Sequence, residues 1–360
     1  MRQVLCISGQ RWLTVPNRTQ QLMSRLEDAQ ILFFEPPAGA SEDWRRPGRK
    51  VRQNIIVHTL PPELTQNAAL RLLSRVSAGR TVKFIRERMD RVRFTEPLLW
   101  CSSPAGAEFM EELPHRGVVY DCYRDWPEYP EAWESELAVN ADVCFAASPD
   151  LMRHLAPCNG NVTLLPNGCN YPMFAKDKLP SPGPLRRTQA PILGYVGTLW
   201  RDLDLAPLIQ AADALSNCAF VLIGQDMGNP LLPELLSLPN VRWLGPMAPV
   251  ELPDYICSFR VCLYLLRRSG YYDDVIHSRM FEYLSSGKPI VAMLQPDQIE
   301  HFPDVVYGAH DNAEFVKLCV RALEEAGPWA KDRRRSYGKA AAWSARAGVV
   351  NQILHSIGLI

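Results

Sequence analysis

The strongest constraint on this chain is that one alternation occurs twice: short apolar runs separated by helix-length segments, with a proline-rich break between the two rounds. The first round contains VLCIS (4–8), ILFFEP (31–36), NIIVHTL (54–60), PLLWCS (97–102), GVVYDCY (117–123), DVCFAAS (142–148) and VTLLPNG (162–168). Helix-length segments at 18–29, 64–77, 128–139 and 149–156 lie between several of them. The break is KDKLPSPGPLRRTQAP (176–191). The second round contains ILGYVGTL (192–199), AFVLIG (219–224), VRWLG (241–245), VCLYLL (261–266), PIVAML (289–294) and VVYGA (305–309). Continuous apolar strands alternating with helices predict mainly parallel sheets covered on both faces. The expected fold class is therefore α/β, with two doubly wound Rossmann-like domains facing each other across a cleft. The predicted boundaries are 1–175 for the first domain, 176–191 for a linker, 192–335 for the second domain and 336–360 for a C-terminal helix. Such sheets bind ligands at the carboxyl ends of their strands.

Composition narrows the classes further. The 360 residues are 47% hydrophobic and 22% charged with zero formal net charge, which is ordinary for a globular protein. No apolar run is long enough to span a membrane. The start, MRQVLCISGQRW, reads as a first strand rather than a secretion signal. The ten cysteines are scattered and sit mostly in apolar runs, which suits reduced thiols in a cytoplasmic protein. Charge is uneven. Residues 42–93 hold thirteen Lys or Arg against five Asp or Glu, while 121–153 hold eight acids against two Arg. The basic sector suits either an anionic surface or a set of solvated helix faces. It lacks a recognisable nucleic-acid module, so no nucleic-acid partner is expected.

The chemistry concentrates in HSRMFEYLSSGKPIVAM (277–293). Met280, Phe281 and Leu284 share an apolar face, Gly287 ends the helix and Pro289 prevents its continuation. The helix is expected to start near Ser278, where unpaired amides favour an anion. Glu282 follows one turn later. It can accept from two adjacent ribose hydroxyls, or it can pair with Arg279 at i,i+3. Gly197 and Thr198, after the strand that opens the second round, form a turn where backbone can approach a ligand or simply turn the chain. In the first round, Ser8, Gly9 and Gln10 end the first strand, Arg18 stands at the next helix start and Asp121 ends the run VVYD. Asp121 is either a base for a hydroxyl or a turn acid. His58, His115, His154 and His277 show no metal spacing, and no metal or other cofactor is expected.

RMFEYLSSGKPIVA closely resembles the C-terminal signature of GT-B-fold glycosyltransferases, particularly the retaining group 1 (family four) type, whose usual form is K-x-x-E-Y-L-A-x-G-K-P-V-V. LLPNGCNYPMF (164–174), ILGYVGTLWRDLDLAPLIQAA, FVLIG and NVRWLGPMAPVELPDYI follow the same order. NRTQQLMSRLEDAQILFFEP, VVYDCYRDW and ELAVNADVCFAASPDLMRHL resemble, more loosely, segments of bacterial envelope and exopolysaccharide transferases. The resemblance implies a nucleotide-sugar donor in the second domain, an acceptor mainly in the first and catalysis in the cleft. It implies that Glu282 grips the ribose, that Asp274 touches donor-sugar hydroxyls and that the backbone from Ile276 through His277 and Ser278 to Arg279 faces the diphosphate. The chain departs from the pattern where the family often has Arg and Lys on the diphosphate, because Thr198 and Leu203 stand there. Arg201 and Arg267 are the first candidates to supply that cation, ahead of Arg268 and Arg279. Ser8, Gly9, Gln10 and Arg18 would line the acceptor side.

The resulting expectation is a nucleotide-sugar-dependent glycosyltransferase of envelope or exopolysaccharide synthesis. It would use a glycan or lipid-linked acceptor and would be cytoplasmic or peripheral on the inner face of an anionic membrane. If the enzyme retains configuration, the leaving phosphate can take the acceptor proton. If it inverts, Asp121 is the candidate base. The alternatives are a non-catalytic GT-B scaffold that binds nucleotide or glycan, and a nucleotide-sugar epimerase on the same fold.

Overall fold

A computed structural model describes residues 2–13, 15–39, 42–62, 71–265 and 274–360. The chain forms two compact units, 1–166 with 344–360, and 167–343.

The first unit is built on one sheet. Its strands are β1 (Arg2–Ile7), β2 (Ala29–Glu35), β3 (Arg49–Arg52), β4 (Ile55–Thr59), β5 (Leu98–Cys101), β6 (Gly117–Cys122), β7 (Val143–Ala146) and β8 (Val162–Leu164), in the order β3-β4-β2-β1-β5-β6-β7-β8. All neighbours are parallel except the edge strand β3, which runs antiparallel to β4. The inner strands are buried along nearly their whole length, as expected of a sheet with both faces covered. The chain turns away from β1 toward β2 on one side and β5 on the other. This strand order puts a switch point between β1 and β5.

The second unit contains β9 (Ile192–Val196), β10 (Leu199–Trp200), β11 (Ala219–Ile223), β12 (Asp226–Met227), β13 (Val241–Trp243), β14 (Val261–Tyr264), β15 (Ile290–Met293) and β16 (Tyr307–Ala309). Six of them form an all-parallel sheet in the order β13-β11-β9-β14-β15-β16, while β10 and β12 pair in a separate short ladder. Side-chain alternation divides the core into two layers. Val221, Ile223, Cys262, Tyr264, Ile290 and Ala292 pack on one face with Met280, Tyr283 and Leu284 of the Ser278–Ser286 helix. Phe220, Leu222, Val261, Leu263, Val291 and Met293 face the other way, against Leu208 and Ala211 of the Ala206–Ala214 helix and Phe315 and Cys319 of the Asn312–Glu324 helix. This strand order again puts a switch point between β9 and β14.

The observed division of the chain differs from the expected one in three places. The segment 176–191 is not a free linker: Leu185 is buried in the second unit's core, and Asp177 pairs with Lys331 at 2.7 Å and Arg335 at 3.0 Å. The expected tail helix over 336–360 is two helices, Pro328–Ala340 and Trp343–Ser356. Cys169 interrupts it, since the Cys169 N–H donates to the Ala341 carbonyl at 3.0 Å and the Trp343 N–H donates to the Cys169 carbonyl at 2.9 Å. The tail belongs to the first unit, where Leu359 fills the space that a side chain at Gly117 would need. The helix expected over 64–77 begins outside the described residues, and the described helix runs Arg71–Val92.

All ten cysteines are free, most of them buried, and burial pushes the Cys101, Cys144, Cys262 and Cys319 thiols up to about 12. Among the described residues no helix is long and apolar enough to cross a membrane.

Candidate active site

In the second unit the start of the Ser278–Ser286 helix is bonded to the ends of β9 and β14, where the switch point lies. The Ser278–Ser286 helix follows an extended His277, has no side-chain cap, and ends on Gly287 in the left-handed region with φ 76°. Uncapped N–H groups at such a start point outward with partial positive charge. Two tyrosines and one asparagine fix that start. The His277 N–H donates to Tyr264 Oη at 3.3 Å, the Val196 N–H donates to Tyr283 Oη at 2.8 Å, and Asn167 Nδ2 donates to the Ile276 carbonyl at 3.0 Å. The last residue of β9, the last residue of β14 and the helix start are thus bonded into one frame. Tyr283 and Tyr264 are buried, and that burial holds both phenols well above their ordinary pKa, so they serve as neutral hydroxyls here.

Gly197 and Thr198 lie half-buried just beyond β9. The Gly197 N–H donates to the Ile223 carbonyl at 2.9 Å, and Tyr195 Oη donates to the Thr198 carbonyl at 3.3 Å. The neighbouring loop presses against this turn through Gly224, whose φ is 150°. A Cβ there would sit 1.8 Å from the Gly197 carbonyl oxygen. Only glycine satisfies both the angle and the approach. Arg201 is exposed on the following loop.

Glu282 resolves its two readings in an unexpected way: it does pair with Arg279, one helical turn back, yet it is not sealed in the core. Its side chain keeps 17% of its exposure and that of Arg279 22%. Burial pushes the Glu282 carboxyl above the ordinary carboxylate value, against the opposing pull of Arg279. The Arg279 Nε–H is buried and makes no hydrogen bond. Asp274 is 8% exposed, at the end of the loop that leads into the helix. Arg267 and Arg268 lie outside the described residues.

In the first unit the expected acceptor residues also share one edge. Ser8 Oγ donates to the Gln10 carbonyl at 2.7 Å and accepts from the Gln10 N–H at 3.1 Å, while the Gly9 N–H donates to Ser102 Oγ at 3.2 Å. Arg18 opens the Arg18–Met23 helix, which Asn17 and Gln20 close with a reciprocal capping box. Asp121 is fully buried. Arg18 Nε reaches its two oxygens at 3.0 and 3.2 Å, and Arg18 Nη2 reaches Oδ1 at 2.8 Å. This differs from a base poised for a hydroxyl: the carboxylate has no solvent-exposed surface and is engaged by a guanidinium that is itself buried. What the pair does here is tie the helix after β1 to the end of β6. Among the described residues no group of three His, Cys, Asp or Glu side chains could hold a metal ion.

Sequence reasoning missed Asn167, Tyr264 and Tyr283. Asn167 belongs to the quoted LLPNGCN stretch, but nothing there signals its bond to Ile276. The two tyrosines read as core residues, and their hydroxyls become structural only once β9, β14 and the helix are brought together.

With this geometry in view, the likenesses to known proteins are consistent. A family described as glycosyl transferase-like matches residues 201–352. A protein of Bacillus subtilis (strain 168), named as a teichuronic acid biosynthesis glycosyltransferase, TuaH, is 29% identical over 288 residues, covering 72% of each chain. Among solved structures, trehalose-6-phosphate from E. coli bound with UDP-2-fluoro glucose superposes with a TM-score of 0.75 at 11% identity, covering 100% of both chains. A trehalose-6-phosphate synthase structure concerned with glycosyltransfer with retention gives a TM-score of 0.74 at 11% identity over 99% of each chain.

Proposed function

We propose that this chain, a glycosyltransferase of the GT-B fold, moves a sugar from a nucleoside diphosphate-sugar to a glycan acceptor in the synthesis of an envelope polysaccharide, with retention of configuration. The observation that carries the donor assignment is the pairing of an uncapped helix start with a largely buried carboxylate one turn away that keeps some exposure, at the switch point of a parallel sheet. In this reading the amides of Ser278 and Arg279 receive the diphosphate and Glu282 takes the ribose hydroxyls. Asp274 contacts the donor sugar. Arg279, released from Glu282 by the ribose, joins Arg201 in balancing the departing charge. The bond from the anomeric carbon to the phosphate oxygen breaks, the bond to the acceptor oxygen forms, and the acceptor proton goes to the leaving diphosphate. No base is needed, which suits the engagement of Asp121 by Arg18. Retention and the class of polymer are supported by the trehalose-6-phosphate synthase and the Bacillus protein respectively.

The test is a thermal-shift screen of nucleoside diphosphates in a chelating buffer, followed by a transfer assay with the matching nucleotide-sugar. One diphosphate is expected to raise the melting temperature, and its sugar to be transferred without added metal. Stabilisation without any transfer would favour the non-catalytic scaffold, and isomerised donor without acceptor would favour the epimerase.

The acceptor is further proposed to be lipid-linked and met at an anionic membrane. Leu13 and Val15 are each more than half exposed on the loop after β1. Arg11 in that loop bonds Glu42, next to a segment carrying exposed Arg45, Arg46, Arg49, Lys50 and Arg52. Apolar residues beside a cationic strip suit an interface of anionic headgroups. The same charges would also keep the edge strand β3 from pairing with another chain. Co-sedimentation separates the two roles. The chain is expected to pellet with phosphatidylglycerol vesicles and not with phosphatidylcholine, and to lose this when Arg49, Lys50 and Arg52 become serine. Equal recovery with both lipids would leave only the edge-protecting role.

A further inference from the structure

A groove opens at the amino edge of the first unit's sheet, away from the carboxyl ends where Ser8, Gly9 and Asp121 lie. It has two adjoining chambers, of about 540 and 290 Å³, which share Gln30, Gln53 and Asn54. The register of the sheet explains the grouping. β2 and β4 pair with Ile31 opposite Ile55 and Leu32 opposite Ile56. One residue further back, Gln30 stands beside Asn54, and strand alternation puts both on the face of Leu32 and Ile56. The Arg71–Val92 helix packs on that same face, where its Phe84 meets Phe34 and His58. The helix ends at the groove, so Val92 and Phe94 join Ile56 in lining the smaller chamber. Phe94 is placed by the turn that stops the helix: its N–H donates to the Met89 carbonyl at 3.0 Å, and Arg93 takes the left-handed conformation with φ 58°. Gln3 ties this turn to β1, its Nε2 donating to the Arg93 carbonyl at 3.0 Å and its Oε1 accepting from the Thr95 N–H at 3.1 Å. The larger chamber is polar. Asn54 Nδ2 donates to the Ala29 carbonyl at 2.7 Å, which fixes the amide plane and leaves Oδ1 to accept. Gln30 and Gln53 are exposed, and among the described residues their side chains make no hydrogen bond. Asp28 and Lys50 add one charge of each sign.

A carboxamide offers a donor and an acceptor in one plane, and a sugar hydroxyl is both at once. Three carboxamides beside a small apolar wall, with charges that cancel, suit a ligand rich in hydroxyls that also carries C–H surface and little charge. A phosphate or nucleotide would instead call for clustered cations. The chambers have the size of a small-molecule site, and their adjoining arrangement suits linked sugar rings. We propose that this groove binds an oligosaccharide stretch of the glycan on which the chain acts. β2 is seven residues long, so the groove lies about 20 Å along the sheet from the carboxyl edge. A sugar held here is not the one being extended; the groove grips the glycan away from its reacting end. The groove rests on the transferase reading for its biological meaning, but not for its detection.

The full-length chain, without nucleotide, is titrated with maltohexaose, cellohexaose, chitohexaose and hyaluronan hexasaccharide, and binding is read by saturation-transfer NMR. At least one hexasaccharide is expected to bind. Replacing Gln30→Ala together with Gln53→Ala removes two exposed side chains that the fold does not use, and should weaken that binding about tenfold or more. Val139→Ser, exposed on the Glu131–Asn140 helix, should leave it unchanged. Failure of every hexasaccharide to bind overturns the groove, and so does an unchanged affinity in the double variant, which would place the sugar elsewhere on the molecule. Melting temperatures of the same samples confirm that each variant is folded, and their response to nucleoside diphosphates separates the two readings. A response to diphosphate without hexasaccharide binding removes the groove alone. Binding that the double variant loses, without any diphosphate response, supports the groove and removes the transferase reading alone.

Discussion

Glu282→Ala is expected to remove nearly all nucleoside diphosphate binding while leaving the fold intact. In the proposed complex its carboxylate accepts from two ribose hydroxyls. Hydrogen bonds to a charged group are worth about 1.5–3 kcal/mol each, so losing both should weaken the donor by about a hundredfold or more. The cost to folding should be small by comparison, because the side chain is partly exposed and its ion pair with Arg279 is a short-range helical one. Calorimetric titration of the variant with the diphosphate that stabilises the wild type provides the measurement, and an unchanged affinity would exclude Glu282 from the ribose site. A pH series adds an independent handle. The Glu282 pKa is raised by burial above its ordinary 4.5, so the folded chain holds that proton more tightly than the unfolded chain does. Its contribution to stability is therefore full below pH 4.5 and is lost as pH rises through the raised value. Donor affinity, which needs the ionised form, should climb over the same window. Glu282→Gln should show neither slope.

The second large effect is predicted for stability. Asp121→Ala leaves the Arg18 guanidinium buried without its counter-ion, and breaking a buried pair from one side costs about 3–5 kcal/mol. At roughly 2–4 °C per kcal/mol for a unit of this size, the first unit should melt about 10 °C lower. The double replacement Arg18→Met with Asp121→Leu should recover most of that loss, because it removes both charges together. Transfer by the double variant then reads the base hypothesis directly. Activity close to wild type leaves the pair a structural role alone, whereas loss of activity at restored stability would bring Asp121 or Arg18 back to the acceptor side.

How far the sequence can be read differs between fold and site. Every long apolar run became a strand of one of the two sheets, because strands buried on both faces must be apolar throughout. β3 escaped notice since RKVR is an edge strand with solvent on it and no apolar run to mark it. The proline-rich segment looked like a linker by composition. Its one buried leucine, Leu185, and the salt bridges of Asp177 attach it to the second unit, and composition does not register a single anchoring side chain. In the site, Glu282 and the helix start could be found because spacing along a helix is local. The Arg18–Asp121 pair spans 103 positions, and the Asn167–Ile276 bond spans 109. Contacts of that range depend on which strands become neighbours, and no local pattern encodes it.

The return of residues 344–360 to the first unit bears on how the chain is made. Emerging from the ribosome, residues 1–166 carry the whole eight-stranded sheet yet still lack the helix that covers part of it, and Gly117 waits for Leu359. The second unit, although it is synthesised later, is contiguous and can close first. The first unit then completes its core only when residues 344–360 arrive, so deleting Leu359 and its neighbours would injure a sheet whose strands were made about two hundred residues earlier.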